Sequence, residues 1–246
     1  ITGVSGGGAS ESGSQSVTIT ISENESAPTV ALTVSASSIA ENAGSSLTLT
    51  ATLSVAADEA VTVSLSTSGT STEGTDYTDG SGNVDDITIS AGSTTGTVNF
   101  TPTDDSVYEG NETAIVAISS VSGADAGESG LQSVTITITE NESAPTVTLA
   151  RSAASIDENS GSTITLTATI SGVTDSAVTV ALDTSGTATE GTDYGTISDI
   201  TISAGATTGT ATLDPTDDNI YEGDETATID ISSVSGKSGV TENGTQ

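Results

Sequence analysis

The chain has 246 residues, of which 33% are hydrophobic and 2% aromatic, so any core must be thin and built from Val, Ile, Leu and Ala. Two Lys and Arg residues stand against 34 Asp and Glu residues, and the resulting net charge of −32 excludes nucleic acid as a partner, because phosphate binding needs basic side chains. There is no Cys and no apolar run of the roughly 18 residues that a membrane span needs, so neither disulfides nor membrane insertion is expected.

High net charge with low hydrophobicity is also typical of disordered chains. In this sequence, however, the acidic residues are gathered in short clusters between runs in which apolar residues alternate with Thr or Ser. Alternation of this kind is typical of half-buried strands. The pattern therefore favours a folded β protein over a disordered one.

The sequence repeats itself. QSVTITISENESAPTV, which starts at Gln15, returns as QSVTITITENESAPTV at Gln132, 117 residues later. TEGTDY, which starts at Thr72, returns at Thr189 with the same offset. A unit of this length is too long for a solenoid repeat and has the size of an independent sandwich domain.

The repeat boundaries predict three parts. Residues 1–26 match the C-terminal strand of a preceding repeat, residues 27–145 form a complete repeat, and residues 146–246 form a second repeat that lacks its last strand. Gln246 stands where Gln132 stands in the complete copy, so the equivalent of Ser133–Glu142 is absent from the second copy. A spare version of that segment, Ser16–Glu25, stands near the start of the chain.

Alternation in the complete repeat predicts about seven strands. Gly, Asp, Asn and Ser separate them, as expected for turns, and no helical period is present. Seven short strands at this spacing predict an all-β fold made of tandem immunoglobulin-like Greek-key β-sandwiches. The predicted strands are Thr29–Ser35, Ser46–Val55, Ala60–Thr67, Asp86–Ser90, Thr95–Thr101, Thr113–Ser119 and Ser133–Thr139.

Four tyrosines stand at equivalent places in the two copies. Tyr108 and Tyr221 precede the sixth strand of each copy, which predicts a core plug or an analogue of the tyrosine corner rather than a carbohydrate-stacking residue. Tyr77 and Tyr194 are expected to cap the other end of each sandwich.

Acidic residues occupy the same loops in both copies, and a Greek key brings alternate loops together at one end of the sandwich. Converging carboxylates repel one another, and a divalent cation removes that cost. Ca²⁺ suits oxygen-rich loops, whereas transition metals favour His or Cys, which the chain lacks. The alternative is that these acids only solvate loops. In the complete repeat they are Glu41, Asp76, Asp104, Asp105, Glu109, Glu112, Glu140 and Glu142, with Asn141 between the last two.

The run Asp-Asp-x-x-Tyr-Glu-x-x-Glu, together with the Glu-Asn loop and Gly-Thr-Asp-Tyr, resembles the Calx-β family of exchanger regulatory domains and bacterial surface proteins. The resemblance implies an immunoglobulin-like fold with calcium at one end. It implies the ligands Glu41, Asp76, Asp104, Asp105, Glu109 and Glu112, and in the second copy Glu158, Asp193, Asp217, Asp218, Glu222 and Glu225. The Asp run that usually ends the domain is replaced here by Glu140, Asn141 and Glu142, and in the leading segment by Glu23, Asn24 and Glu25.

Four functions follow as hypotheses. The first is a calcium-stabilised spacer in a large bacterial adhesin or surface filament, secreted or at the cell surface, whose partners are neighbouring repeats. The second is a calcium sensor, as in the exchangers. The third is a glycosidase with a carboxylate pair, which the scarcity of aromatics disfavours, so no enzyme activity is expected. The fourth is a filament subunit in which Ser16–Glu25 completes the next subunit by strand complementation. In a longer continuous chain, the same contact between neighbouring repeats would be covalent.

Overall fold

The computed structural model describes residues 2–10, 12–130 and 132–244, and only the residues at 1, 11, 131, 245 and 246 lie outside it. Within the described residues the regular structure is strand, apart from one 3₁₀ turn at Glu158–Ser160. The fold is the predicted one: two tandem β-sandwiches with an immunoglobulin-like arrangement.

Among the described residues, the first sandwich contains ten strands in two sheets. In chain order they are β1 (Thr29–Val34), β2 (Ser38–Ala40), β3 (Leu47–Leu53), β4 (Val61–Gly69), β5 (Tyr77–Thr78), β6 (Ile87–Ile89), β7 (Thr95–Pro102), β8 (Glu112–Ser122), β9 (Gly127–Glu128) and β10 (Ser133–Thr139). One sheet has the order β5-β7-β3-β1-β9 and the other β2-β10-β8-β4-β6. All seven predicted strands are present, and the three that alternation missed are only two or three residues long.

In the part of the chain that the structure describes, the second sandwich repeats this plan with fewer strands. They are β11 (Thr146–Arg151), β12 (Ile164–Ile170), β13 (Val178–Gly186), β14 (Ile200–Ile202), β15 (Thr208–Leu213), β16 (Ala227–Ser235) and β17 (Thr241–Glu242). The sheets have the orders β15-β12-β11-β17 and β14-β13-β16. In the described residues, β16 therefore ends its sheet, whereas β8 is covered by β10.

Burial follows the alternation that the sequence shows. In β3, Leu47, Leu49, Ala51 and Leu53 face inward, while the Thr residues between them are half-buried or exposed. The inner faces of both sheets meet in one continuous core per sandwich. Because each sandwich buries its own apolar face, each has the core of an independent domain.

Two aromatic rings anchor the first core. Phe100, the one Phe of the chain, is fully buried, and its ring stacks on Tyr77 with centroids 4.5 Å apart. The expectation that Tyr77 caps the opposite end is wrong, because Tyr77 directly follows Asp76, which lies in the acidic end of the sandwich. In the second sandwich Leu213 pairs with Ile164 as Phe100 pairs with Leu47.

Phe100→Ala is expected to destabilise the first sandwich by about 3–5 kcal/mol, because it empties the centre of a thin core and removes the ring that Tyr77 stacks on. Hydrogen exchange measured peptide by peptide in increasing urea should show earlier opening of the strands of the first sandwich, with the second sandwich unchanged. The matched control, Leu213→Ala, should open the second sandwich instead. Equal loss of protection in both sandwiches for either variant would contradict independent cores.

The leading segment differs from its later copy. Ser16–Glu25 has nearly the same sequence as β10 and the loop after it, yet it forms no strand in the structure. The physical reason is that a strand needs a neighbour for its backbone hydrogen bonds, and β10 already occupies the edge of β8. The division of the chain at residues 26 and 145 remains a prediction.

Candidate metal centre

Acidic loops converge at one end of the first sandwich. Glu41 follows β2, Asp76 precedes β5, and Glu109 and Glu112 stand where the chain passes from β7 into β8. Glu140 comes directly after β10, which pairs with both β2 and β8, so this pairing fixes the position of the carboxylate. Loops that are remote in sequence meet here because the Greek key places their strands side by side.

The carboxylates form two groups in which oxygen atoms from three residues lie within 4.8 Å of one another. Glu41 and Asp76 are buried, and the other members are half-buried. The first group, called cluster A, contains Glu41, Glu140 and Glu142, and the second, cluster B, contains Asp76, Glu109 and Glu112. Neither contains a nitrogen or sulfur donor, so the donor chemistry is that of a hard cation.

Glu140 organises this end of the sandwich. Its Oε2 accepts hydrogen bonds from the backbone N–H groups of Glu109 (2.6 Å) and Gly110 (2.7 Å). Its Oε1 accepts from the N–H groups of Asn141 (2.9 Å) and Glu142 (3.0 Å). Although burial opposes ionisation, the hydrogen bonds from Glu142 and from the backbone lower the pKa of Glu140 to about 2. Glu140 is therefore a fixed negative charge.

The surrounding acids are perturbed in the opposite direction. Burial is the main cause that raises the pKa of Glu41 to about 7. Burial, followed by the charge of Asp76, raises the pKa values of Glu109 and Glu112 to about 7. Burial and mutual repulsion therefore disfavour full ionisation of these acids at this end of the sandwich.

Glu142 carries the clearest sign of a missing positive partner. Its Oε2 is buried and has no hydrogen-bond partner among the residues that the structure describes. Hydrogen bonding to the Glu140 side chain, followed by burial, raises the pKa of Glu142 to about 7. A buried carboxylate oxygen without a partner is costly, and a cation held between Glu41, Glu140 and Glu142 would satisfy it. The residues of cluster A therefore fit Ca²⁺.

The second sandwich retains only one of the two clusters among its described residues. Asp193, Glu222 and Glu225 place oxygens within 4.8 Å of one another and match cluster B. Burial, followed by the charge of Asp193, raises the pKa values of Glu222 and Glu225. Glu158, the counterpart of Glu41, is exposed and accepts a hydrogen bond from the N–H group of Asp218 at 2.8 Å.

Several sequence-predicted ligands stay outside the clusters. Asp105 is exposed, donates its N–H to Glu41 Oε1 (3.2 Å) and accepts from the N–H of Val107 (2.7 Å). Asp218 accepts in the same way from the N–H of Ile220 (2.6 Å). Glu23 accepts from the N–H groups of its neighbours Asn24 and Glu25. The other acids outside the clusters are Asp104, Asp217, Glu158 and Glu25. Asn141 donates its side-chain N–H to Glu142 Oε1 at 3.2 Å.

The acidic end of the first sandwich also touches the second sandwich. Tyr108 donates its backbone N–H to Val173 O at 2.9 Å and forms a parallel bridge with Thr174. Its hydroxyl lies so close to Gly239, at φ +88°, that any side chain there would clash. Nearby, within the second sandwich, Lys237 Nζ lies 2.7 Å from Asp175 Oδ1. The contacts of Tyr108 with Val173, Thr174 and Gly239 are called the joint.

The predicted core position of Tyr108 and Tyr221 is wrong. Tyr108 is not a core plug, because it packs against the second sandwich, and Tyr221 is 96% exposed. Alternation could not reveal this, because a tyrosine at the start of a strand has the same local sequence whether it faces inward or toward a neighbouring domain.

Comparison with known proteins gives one family. The sequence profile of the Calx-beta domain matches residues 23–142 and again residues 140–244. Similar solved structures include CBD12 from CALX1.2, at 20% identity over 84% of this chain and 80% of that one, with a TM-score of 0.40. The apo form of the Calx CBD1 domain is 16% identical over 48% of this chain and 100% of that one, with a TM-score of 0.40.

The calcium binding domain CBD12 of CALX1.1 is 17% identical over 80% of this chain and 76% of that one, with a TM-score of 0.37. A search of curated proteins finds no match. Among the described residues, no helix has the length and apolar character to cross a membrane.

Proposed function

Because this chain belongs to the Calx-beta domain family and contains two adjacent copies of the domain, we propose that it is a calcium-stabilised structural spacer of a large extracellular adhesin or surface filament. Calx-beta domains are calcium-binding, non-catalytic modules. In this role the protein would lie outside the cell and have no enzyme activity. Its acidic loops would supply the calcium ligands, and its repeats would divide at residues 26 and 145.

One observation carries the proposal: cluster B lies directly beside the joint. Glu109 follows Tyr108, whose backbone pairs with Thr174 of the second sandwich, and the charge of Asp175 helps to raise the pKa values of Glu109 and Glu112. The charge state of these acids is therefore coupled to the contact between sandwiches.

Without a cation, like charges at this end repel one another and destabilise the compact arrangement. Glu41, Glu140 and Glu142 would hold one ion, and Asp76, Glu109 and Glu112 would hold another. Ca²⁺ supplies positive charge and tolerates irregular oxygen ligands. With its charge neutralised, the loop that carries Tyr108 would be held in the position in which it pairs with the second sandwich, and the pair of sandwiches would behave as a stiff rod.

The chain should melt at a higher temperature with millimolar Ca²⁺ than with EDTA, because an ion that binds only the folded state stabilises it. Small-angle X-ray scattering should also show a more extended particle with less variation in length. Matched solutions with Mg²⁺, or with K⁺ at equal ionic strength, control for screening. Superimposable melting curves in Ca²⁺ and EDTA would rule out the proposed mechanism.

The dissociation constant for Ca²⁺ distinguishes a structural spacer from a calcium sensor. Extracellular modules bind Ca²⁺ at about 10⁻⁴–10⁻³ M, whereas sensors bind at about 10⁻⁷–10⁻⁵ M. Isothermal titration calorimetry on the whole chain measures this directly. Dissociation constants in the sensor range would favour a regulatory module over a spacer.

A further inference from the structure

We propose that Asp175 of the second sandwich helps to hold the ion of cluster B, so that one calcium ion is shared between the two sandwiches. The inference rests on the proposed calcium function and deepens it, because it adds a carboxylate from the other side of the joint. It also involves Lys237, one of the two basic residues of the chain, as the cation that offsets the charge of Asp175.

The joint places Asp175 beside cluster B. Tyr108 and Thr174 form a parallel bridge, and Tyr108 donates its N–H to Val173 O at 2.9 Å. Glu109 and Asp175 are each the next residue in the same direction. Residues at equal steps from a parallel bridge lie side by side, with Cα atoms about 5 Å apart and side chains on the same face. Asp175 therefore lies across the joint from a member of cluster B.

Two further observations agree with this position. Ser176, the residue after Asp175, lines a cavity that Glu109 and Lys237 also line. The charge of Asp175 is among the causes that raise the pKa values of Glu109 and Glu112. A charge acts on two members of one cluster in this way only from nearby, because salt screens exposed charges beyond about 10 Å. Asp175 thus adds a fourth carboxylate to the surroundings of cluster B.

Lys237 holds Asp175 at the edge of this site. Its Nζ lies 2.7 Å from Asp175 Oδ1, and its side chain is only 12% exposed. Ser176 Oγ donates a hydrogen bond to the same oxygen at 2.9 Å. Both contacts engage Oδ1, so coordination through Oδ2 can proceed without breaking them. In this position Asp175 stands outside the group of oxygens that lie within 4.8 Å of one another.

The coordination chemistry of calcium favours a further ligand at cluster B. Ca²⁺ takes six to eight oxygen ligands, and some carboxylates reach it through a bound water. The residues of cluster B are three carboxylates with two oxygens each, so they fill that sphere only if every oxygen binds. Because Asp175 stands outside the 4.8 Å group, it is expected to reach the ion through a bridging water.

A shared ion connects the sandwiches more directly than a stiffened loop does. An ion held by Glu109 on one side and Asp175 on the other resists separation of the two sandwiches, because separating them would remove one of its ligands. Cluster A differs in this respect, because Glu41, Glu140 and Glu142 all belong to the first sandwich. Calcium binding at cluster B should therefore depend on Asp175, and binding at cluster A should not.

Calorimetric titration of the whole chain with Ca²⁺ tests this difference. Asp175→Asn should weaken one class of site by about 10-fold, the usual loss when an outer carboxylate around a metal is removed. The other class should keep its affinity. Asp183→Asn, which removes another exposed carboxylate of the second sandwich outside the clusters, is the control and should bind calcium as the wild type does.

Lys237→Gln distinguishes a calcium ligand from an ordinary ion pair. If the pair with Asp175 only stabilised the fold, breaking it from either side would have the same effect on calcium binding. If Asp175 serves the ion, Lys237→Gln should instead tighten binding by about 2- to 5-fold, since no ammonium group then offsets the charge of the carboxylate. Changes in the same direction for Asp175→Asn and Lys237→Gln, or no change in either, would overturn the proposal.

Hydrogen exchange locates the effect in the molecule. Calcium should slow exchange of the Tyr108 amide, which donates to Val173 O, in the wild type and in Lys237→Gln. In Asp175→Asn most of this slowing should be lost, while peptides that contain Glu140 keep theirs. Loss of protection at both places would show that the substitution disturbs the fold and not the shared ion, and would contradict the proposal.

The same titrations separate the shared ion from the calcium function on which it rests. Calcium binding by the wild type with no effect of Asp175→Asn would refute the shared ion and leave the calcium function intact. A wild-type chain that binds no calcium at millimolar concentrations would refute both.

Discussion

Glu140→Gln should abolish most of the calcium-dependent rise in the melting temperature of the first sandwich. The substitution removes a charge from cluster A and replaces one carboxylate oxygen with an amide N–H₂ group. Glu140 accepts hydrogen bonds from four backbone N–H groups. In the variant, the amide N–H₂ group is itself a donor and cannot accept a hydrogen bond from the N–H groups that it faces. The calcium-free sandwich should also lose about 1–3 kcal/mol of stability, because part-buried N–H groups lose a charged acceptor.

The matched control is Glu23→Gln, which changes the same residue in the same Glu-Asn-Glu-Ser sequence. Glu23 accepts hydrogen bonds from the N–H groups of its neighbours and lies outside the clusters, so calcium should still raise the melting temperature. Calorimetric titration and thermal unfolding of both variants measure the difference. Equal calcium responses in the two variants would exclude Glu140 as a ligand.

The calcium-free protein should become less stable as the pH rises from about 5 to 8. The pKa values of Glu41, Glu109 and Glu112 are raised from 4.5 to about 7, so between these values the folded state binds more protons than the unfolded chain. Unfolding then releases protons, and raising the pH favours it. Glu140, with its pKa lowered to about 2, has the opposite effect only below pH 4.5.

Saturating calcium should flatten this dependence, because ions replace the protons, and calcium binding near pH 6 should release protons into a weakly buffered solution. Melting temperatures at four pH values, with Ca²⁺ and with EDTA, provide the measurement. Glu109→Gln should reduce the slope in EDTA, whereas Glu59→Gln, an exposed acid outside the clusters, should not. A calcium-free melting temperature that rises over this range would contradict the raised pKa values.

The sequence predicts the strands of the fold more completely than it predicts which acidic residues come together. The strand Ser133–Thr139 was predicted with its observed bounds, because its alternation is strict and its burial has period two. Strands β2, β5 and β9 were missed, because two or three residues are too few for a period to show. Within the site, Asp76, Glu109 and Glu112 converge as predicted acids, but Asp104 and Asp105 in the same run turn to solvent.

The sequence by itself determined that this is a tandem β protein with acidic loops at equivalent positions, since alternation and self-similarity are local and repeat-wide signals. Only the tertiary structure decided which carboxylates meet, because packing of strands remote in sequence sets distances between loops. It also decided that Glu142 has a buried oxygen without a hydrogen-bond partner among the described residues and that Tyr108 faces the neighbouring sandwich. Each of these features depends on contacts between residues that are distant in the sequence, and no local sequence pattern encodes such contacts.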